Sequence, residues 1–285
     1  PVRQAVETAE IKTQLLPGME VLSLVHRGPL EGLGQSLGKL FGFASEHAII
    51  SDEFYREVYL DLDDPGSSAV ELQFVIHNWG KLLDQNLGRV LDEEGRRQVM
   101  EGSEALHLES EAEERYQWIK GAIQLLDGLA TKEEKYEILS RCAHVFPREP
   151  IEKLRSVYVQ ARARTGDPLL AVDAALEFMV EDSAWGIRPV REGRVIYATK
   201  NPRDRRAYEE AETEAEKRRA YCFCPLVRDH LEDGEMPWAF CNCSAGWERQ
   251  QWEGALGRSL KVDIVKSLLR GDDRCQFAIH LPDDL

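Results

Sequence analysis

The sequence predicts an α+β fold in three parts: a β-β-α-β-β module over residues 1–80, a helical middle over 81–190 and a cysteine-bearing α+β module over 191–285. Three observations support this prediction. Apolar residues alternate with a period of two in the last part of the first module, and recur at helical spacing through the middle. Beyond residue 191 the two patterns mix again, and four of the six cysteines fall within 22 positions of this part.

Composition restricts the classes of partner. The chain has 285 residues, 43% of them hydrophobic, and a net charge of −15. This acidic balance argues against a nucleic-acid partner, because phosphate contacts require clustered Lys and Arg. No stretch approaches the ~18 apolar residues that span a bilayer, and Pro1–Gln4 does not begin a signal-peptide pattern. We therefore expect a cytoplasmic protein without membrane association, whose cysteines are reduced or metal-bound.

The N-terminal module should contain four extended segments around one helix. Turn residues separate the segments, and the polar stretch 63–68 joins the last two as a hairpin. The predicted order is an extended run Ile11–Leu16, a strand Val21–His26, a helix over 31–47, and strands Phe54–Leu62 and Val70–His77.

Alternation in the last two strands predicts a sheet face that gathers carboxylates and tyrosines. We expect Tyr55, Glu57 and Tyr59 to share this face with Glu71, while the aliphatic face covers the helix. A poorly solvated carboxylate gains by meeting a cationic ligand, and aromatic rings add cation–π attraction. These four residues and Trp79 are candidate ligand-binding residues. In an enzyme, Glu71 would activate water and Tyr59 would protonate or orient the substrate. The alternative is an ordinary, half-exposed sheet face.

Three segments, Val21–Pro29, Arg56–Tyr59 and Val70–Val75, resemble in order and spacing the gyrase-inhibitor-like family of small-molecule-binding proteins. This family also forms the effector domain of multidrug-responsive transcription regulators. The resemblance implies an aromatic-lined groove between two such modules, with an acid near its centre that would here be Glu71. Because residues 1–80 hold one module, we expect the other half to come from a second subunit, in a homodimer, or from the C-terminal region.

The middle of the chain is predicted to be a series of helices. Thr131–Glu134 has the form of a capping box that opens a helix, and Gly166–Pro168 separates two later ones. Two helices joined by a short turn are also compatible with a helix-turn-helix. However, residues 111–165 carry balanced charges and no basic face, so DNA binding is not favoured.

The C-terminal part mixes strands and helices. The residue types and spacings predict a strand Val195–Thr199, a charged helix Arg203–Arg219, a strand Trp238–Cys243, a helix over 245–256, and a final hairpin of Leu260–Leu268 with Cys275–Leu281.

The cysteines of this part form two C-x-C pairs, Cys222 with Cys224 and Cys241 with Cys243. On a strand this spacing places both sulfurs on one face, so two neighbouring strands could bring four thiolates to a tetrahedral zinc ion, with Cys275 as a further ligand. This donor set suggests zinc as a cofactor, but the sequence does not establish that any cofactor is bound. The alternatives are redox or catalytic thiols, and reduced cysteines that behave as small hydrophobic side chains.

The segments Cys241–Trp247 and Gly271–Phe277 resemble a second group. These are the 4-vinyl-reductase-type small-molecule-binding domains and the 2-amino-thiazoline-carboxylate-hydrolase-like proteins. The resemblance implies a domain that binds hydrophobic small molecules, and in some members cysteines are proposed to hold metal.

Together these observations predict a protein that binds or senses a cationic or aromatic, largely apolar small molecule and has no DNA-binding domain of its own. The alternative function is that of a hydrolase acting on a reactive small molecule. In that case either Glu71 would activate water, or a metal held by the cysteine cluster would do so.

Overall fold

The computed structural model describes residues 20–46, 49, 51–61, 66, 68–106, 110–146, 148–181 and 189–285. It confirms the predicted fold class: the protein is mixed α+β, 57% helical and 17% strand, with two small antiparallel sheets. The extended run expected at Ile11–Leu16 lies outside the described residues.

The N-terminal module is a three-stranded antiparallel sheet with one helix on one face. Its sheet order is β1-β3-β2. Leu22, Leu24, Leu72 and Phe74 pack beneath the helix in a small core that also includes Leu40. The predicted strands and helix are confirmed as β1 (Val21–Arg27), α1 (Leu33–Glu46), β2 (Ser51–Asp61) and β3 (Ala69–Ile76).

The helical middle is also confirmed. Thr131 and Glu134 form the expected reciprocal capping box at the start of the fourth helix of this part. Gly166 takes a left-handed conformation with φ +71°, which ends one helix and lets the next begin at Pro168. Its described residues form the α-helices α2 (Trp79–Val90), α3 (Glu93–Met100), α4 (Ala112–Leu129), α5 (Lys132–Leu139), α6 (Arg148–Thr165) and α7 (Pro168–Glu181).

The C-terminal part forms a four-stranded antiparallel sheet of order β4-β5-β7-β6, with the expected hairpin at its end. The charged helix is divided in two, because Thr213 starts a new capping box with Glu216. The elements are β4 (Val190–Glu192), β5 (Val195–Thr199), α8 (Arg205–Glu210), α9 (Glu214–Tyr221), α10 (Asn242–Leu256), β6 (Lys261–Lys266) and β7 (Gln276–His280).

The strand predicted at Trp238–Cys243 is wrong. Trp238–Cys241 is a 3-10 turn that runs directly into α10. A short apolar run fits a strand or a buried helical segment equally well, and tertiary packing decides between them. Here Phe240 is buried against Trp79 of α2, with ring centroids 5.5 Å apart, so the segment joins a helical core instead of a sheet.

Most of the other buried hydrophobic residues form two larger cores, and both cores include residues from each side of residue 190. The first joins α2–α5 to residues around Tyr221 and Phe240. The second joins α6, α7 and α10 to the four-stranded sheet. Both cores therefore combine residues of the helical middle with residues of the C-terminal part.

The backbone of α10 approaches the turn after α5 very closely. A Cβ atom added at Gly246 would lie 1.8 Å from the carbonyl oxygen of Ser140, so only glycine fits at this position. Arg249 Nη1 reinforces the contact by donating to Ser140 Oγ at 2.9 Å. This contact fixes the position of the first turn of α10.

Across the described residues, no helix has the length and apolar character needed to cross a membrane.

We expect Gly246→Ala to destabilise the protein by about 3 kcal/mol, because the methyl group would force α10 away from Ser140. Gly121→Ala in α4 is the matched control, since no atom lies within 4 Å of its added Cβ. It should stabilise the protein by about 0.5–1 kcal/mol, because alanine costs less conformational entropy than glycine in a helix. Denaturant unfolding of the two variants measures both effects, and equal stabilities would contradict the proposed close contact.

Candidate functional site

Five of the six cysteines line one cavity of about 370 Å³. Its wall comes from the segment after α9, the first turn of α10, the end of β5 and the C-terminal end of α1. The five are Cys222, Cys224, Cys241, Cys243 and Cys275. The structure thus brings together all the cysteines singled out in the sequence.

The two C-x-C pairs lie on loop and helix segments, whereas the sequence analysis expected neighbouring strands to bring them together. Cys222 caps the end of α9, where its backbone N–H donates to the Arg218 carbonyl at 3.0 Å. Cys241 ends the 3-10 turn, and Cys243 lies in the first turn of α10. The proximity of the pairs was therefore predictable from their number and spacing, but the way in which they meet was not.

The cysteines do not form a metal-binding arrangement among the described residues. In that part of the chain, no three His, Cys, Asp or Glu side chains are placed so that they could hold a metal ion. All six cysteines are free thiols. The zinc hypothesis thus has no support from this geometry, and it stays a prediction.

The thiols are held in their neutral form. Burial raises the pKa of Cys222 and Cys243 to about 12, and it raises the pKa of Cys241 well above its ordinary value. Ser267 Oγ donates to Cys241 Sγ at 3.2 Å, which opposes this shift without reversing it. Since the thiolate is the nucleophile and the metal ligand, neutral thiols fit the small-hydrophobe interpretation best.

Three cations line the same cavity: Lys200, Arg203 and Arg228. No Asp or Glu side chain of the described residues is part of this wall. Burial, and then the like charge of Arg203, lower the pKa of the half-buried Arg228 from its ordinary value. A guanidinium nevertheless remains protonated at physiological pH, so the wall of the cavity carries positive charge.

Lys200 follows β5 directly and is held in place by its neighbours. Its Nζ donates to Ser244 Oγ at 2.7 Å and lies 5.6 Å from the ring centroids of both Phe223 and Phe277. Glu248, one turn along α10 from Ser244, is buried behind this group. Burial raises the pKa of Glu248, and the charge of Lys200 opposes that rise.

Aromatic and aliphatic residues form most of the remaining wall. Trp247 contacts His144, with ring centroids 4.1 Å apart, and Trp79 packs against Phe240. Trp79 was predicted as a ligand-binding residue beside Glu71, but the structure places it here instead. Its indole Nε1 is buried and meets no acceptor in full hydrogen-bond geometry among the described residues, although it opposes the rise that burial causes in the pKa of the Cys243 thiol.

The strand register separates Glu71 from the residues that were predicted to share its face of the sheet. Glu71 lies directly opposite Val25 and Val58, whereas Glu57 lies opposite Leu72. Directly opposed residues of antiparallel strands point to the same side of a sheet. Glu71 therefore lies on the face opposite Glu57, and the prediction of one shared face is wrong. Alternation identifies the two faces of each strand, but the register decides which faces coincide.

Glu57, Tyr59 and Tyr55 lie on the side of the sheet that α1 partly covers. The Tyr59 hydroxyl donates to Glu57 Oε2 at 2.5 Å, and this hydrogen bond raises the pKa of Tyr59. Tyr55 and Tyr59 are about half exposed. The hydrolase hypothesis required a tyrosine beside Glu71, and the register separates the two. A ligand-binding role of Glu71 and the homodimer both stay predictions.

Sequence reasoning missed Lys200, Arg228 and Ser244. Each is a single polar residue with no functional signature of its own, and none is close to the others in sequence. The nearest signal was positional, because Arg228 follows the first C-x-C pair and Ser244 follows the second.

The raised cysteine pKa values predict a loss of stability at alkaline pH. Below pH 9.0, the ordinary thiol pKa, both folded and unfolded states keep these protons, and the thiols cause no pH dependence. Above it the unfolded chain releases protons that the folded state retains up to about 12. The free energy of unfolding should therefore fall by about 1.4 kcal/mol per pH unit for each such thiol.

Urea unfolding with reductant at about pH 8 and about pH 10 measures this slope. Cys243→Ala should make it shallower, since this variant removes one of the contributing thiols. An unchanged slope in the variant would show that Cys243 ionises equally easily in the folded and unfolded states.

The metal hypothesis is tested by elemental analysis of protein purified without an affinity tag. Because no three donors converge among the described residues, we expect less than stoichiometric zinc or iron. Cys241→Ser and Cys142→Ser serve as variants inside and outside the cavity lining. Near-stoichiometric metal that falls only in Cys241→Ser would overturn this expectation and restore the zinc site.

Comparison of the chain with protein-family models, with curated proteins and with solved structures gave no match. The two family resemblances drawn from its motifs therefore stay expectations.

Proposed function

We propose that this protein binds a small, largely apolar molecule in the cysteine-lined cavity, and that it acts as a sensor or sequestering protein. The observation that carries the proposal is the composition of the wall, in which thiols and aromatic rings surround a few converging polar groups. Ligand sites in proteins have this character and volumes of about 300–1,000 Å³. A cavity of about 370 Å³ lies within this range.

Neutral cysteines make this wall suitable for an apolar ligand. A protonated thiol is a small, polarisable group that contacts aliphatic and aromatic surfaces favourably. Because burial keeps Cys222 and Cys243 protonated, they add contact surface without adding charge. Trp247 and Phe240 supply the larger apolar area beside them.

The N-terminal module supports a sensing role. Phe41 and Ala44 of α1 line the cavity, although the rest of their helix packs on the first sheet. The Phe41 ring also contacts Phe74 of β3, with centroids 4.3 Å apart. A bound molecule would therefore contact a side chain that packs against the core of the N-terminal module. This link gives binding a route to a change in the N-terminal sheet.

The proposal predicts binding of a neutral aromatic probe. N-phenyl-1-naphthylamine should show increased fluorescence when it enters the cavity. Leu226→Trp, which adds volume to the lining, should weaken its binding about tenfold or more, because the ligand would clash with the indole or lose apolar contact. Leu170→Trp on α7 is the matched control, since Leu170 is exposed and lies outside this wall.

Fluorescence titration of the three proteins gives the dissociation constants, and thermal unfolding checks that each variant is folded. Equal affinities for Leu226→Trp and the unchanged protein would place the probe elsewhere. An absence of saturable binding to the unchanged protein would contradict the proposed function.

A further inference from the structure

We propose that the ligand of this cavity carries an anionic head group, which Lys200 and the two arginines bind, while its apolar body lies against the thiol and aromatic wall. The inference rests on the proposed function and specifies the ligand class. The sequence suggested a cationic ligand at the Glu71 face. The ligand proposed here has the opposite charge, because the proposed site is the cavity and its wall carries cations.

The distribution of charge is the first argument. The chain has 51 acidic residues against 36 Lys and Arg. Yet the described wall of this cavity contains Lys200, Arg203 and Arg228 and no carboxylate. Cations in a partly desolvated wall gain most from an anion that enters the same space. The lowered pKa of Arg228 agrees with this, since it reflects burial of the guanidinium.

The contacts of Lys200 are the second argument. Its Nζ has an uncharged hydrogen-bond partner, Ser244, and two aromatic rings nearby. An ammonium has three donors, and one of them is used by Ser244. Glu248 is the acid that Lys200 influences, but it lies outside the described lining. An anionic oxygen in the cavity would therefore gain a charge-assisted hydrogen bond.

The third argument is the poorly satisfied donor of Trp79. This side chain is 95% buried in the wall, and among the described residues its Nε1–H meets no acceptor in full hydrogen-bond geometry. Hydrogen bonding from Trp79 opposes the rise that burial causes in the pKa of the Cys243 thiol, so the two groups lie close together, but a thiol is a weak acceptor. A buried donor with only a weak acceptor is costly, so an oxyanion beside it would reduce that cost. The charge of Lys200 also opposes the rise in the pKa of Cys243, so both donors lie in the neighbourhood of this thiol.

A matched series of probes tests the charge directly. 4-Phenylbutyrate, 4-phenylbutanol and 4-phenylbutylamine share one apolar body and differ in the charge of the head group. By isothermal titration calorimetry we expect the carboxylate to bind about tenfold tighter than the alcohol, as one charge-assisted hydrogen bond allows, and the amine to bind weakest.

Variants assign the preference to residues. Lys200→Met should abolish the preference for the carboxylate over the alcohol, and Lys200→Arg should retain it. Lys261→Met removes the same charge from β6, outside this wall, and should change nothing. If Lys200→Met fails to fold, Arg228→Gln serves instead, and it should reduce the carboxylate preference while leaving alcohol binding unchanged.

The outcomes distinguish failure of this inference from failure of the proposed function on which it rests. Equal affinity for carboxylate and alcohol, or tighter binding of the amine, would overturn the anionic head group and leave the cavity as a binding site. Binding of the naphthylamine probe without binding of any phenylbutyl compound would do the same. Failure of all four probes to bind would remove the proposed function, and this inference with it.

Discussion

The contact between the backbones of Gly246 and Ser140 is the constraint on which the site depends. It holds the first turn of α10 against the turn after α5, where a side chain at residue 246 could not fit. From this fixed turn Cys243 and Ser244 reach the cavity, and Ser244 orients Lys200. The same helix continues into the second core through Trp252. This one close contact therefore positions α10, which contributes both to the wall of the cavity and to the second core.

Burial gives the cysteines their chemical character. The same residues on an exposed pair of strands would be accessible thiols with ordinary acidity, suited to zinc or to exchange reactions. Deep in the molecule, Cys222 and Cys243 keep their protons and act as lining. The charge in the cavity then comes from three residues of other segments, namely Lys200, Arg203 and Arg228. The proposed site thus combines neutral, polarisable thiols with three positively charged side chains.

Local patterns predicted most of the elements, and long-range packing explains what they missed. The capping box at Thr131 and the alternation in β2 and β3 depend on neighbours in sequence, so the chain alone shows them. The register of β2 against β3 depends on how two strands meet, and this put Glu71 and Glu57 on opposite faces. The cysteine cluster could be predicted because its members recur at short spacing. Lys200 could not, since its role arises from a fold that brings it to Ser244.

Phe41 has a consequence for the abundance of the protein. Its ring is 52% exposed, packs on Phe74 in the N-terminal core and borders the cavity. A ligand that covers the exposed half would add apolar contact to the first module, and so favour the folded state of α1 by mass action. Local opening of α1, the step that a protease would require, would then become rarer as ligand accumulates. The lifetime of the chain in a cell would in this way follow the concentration of the proposed ligand.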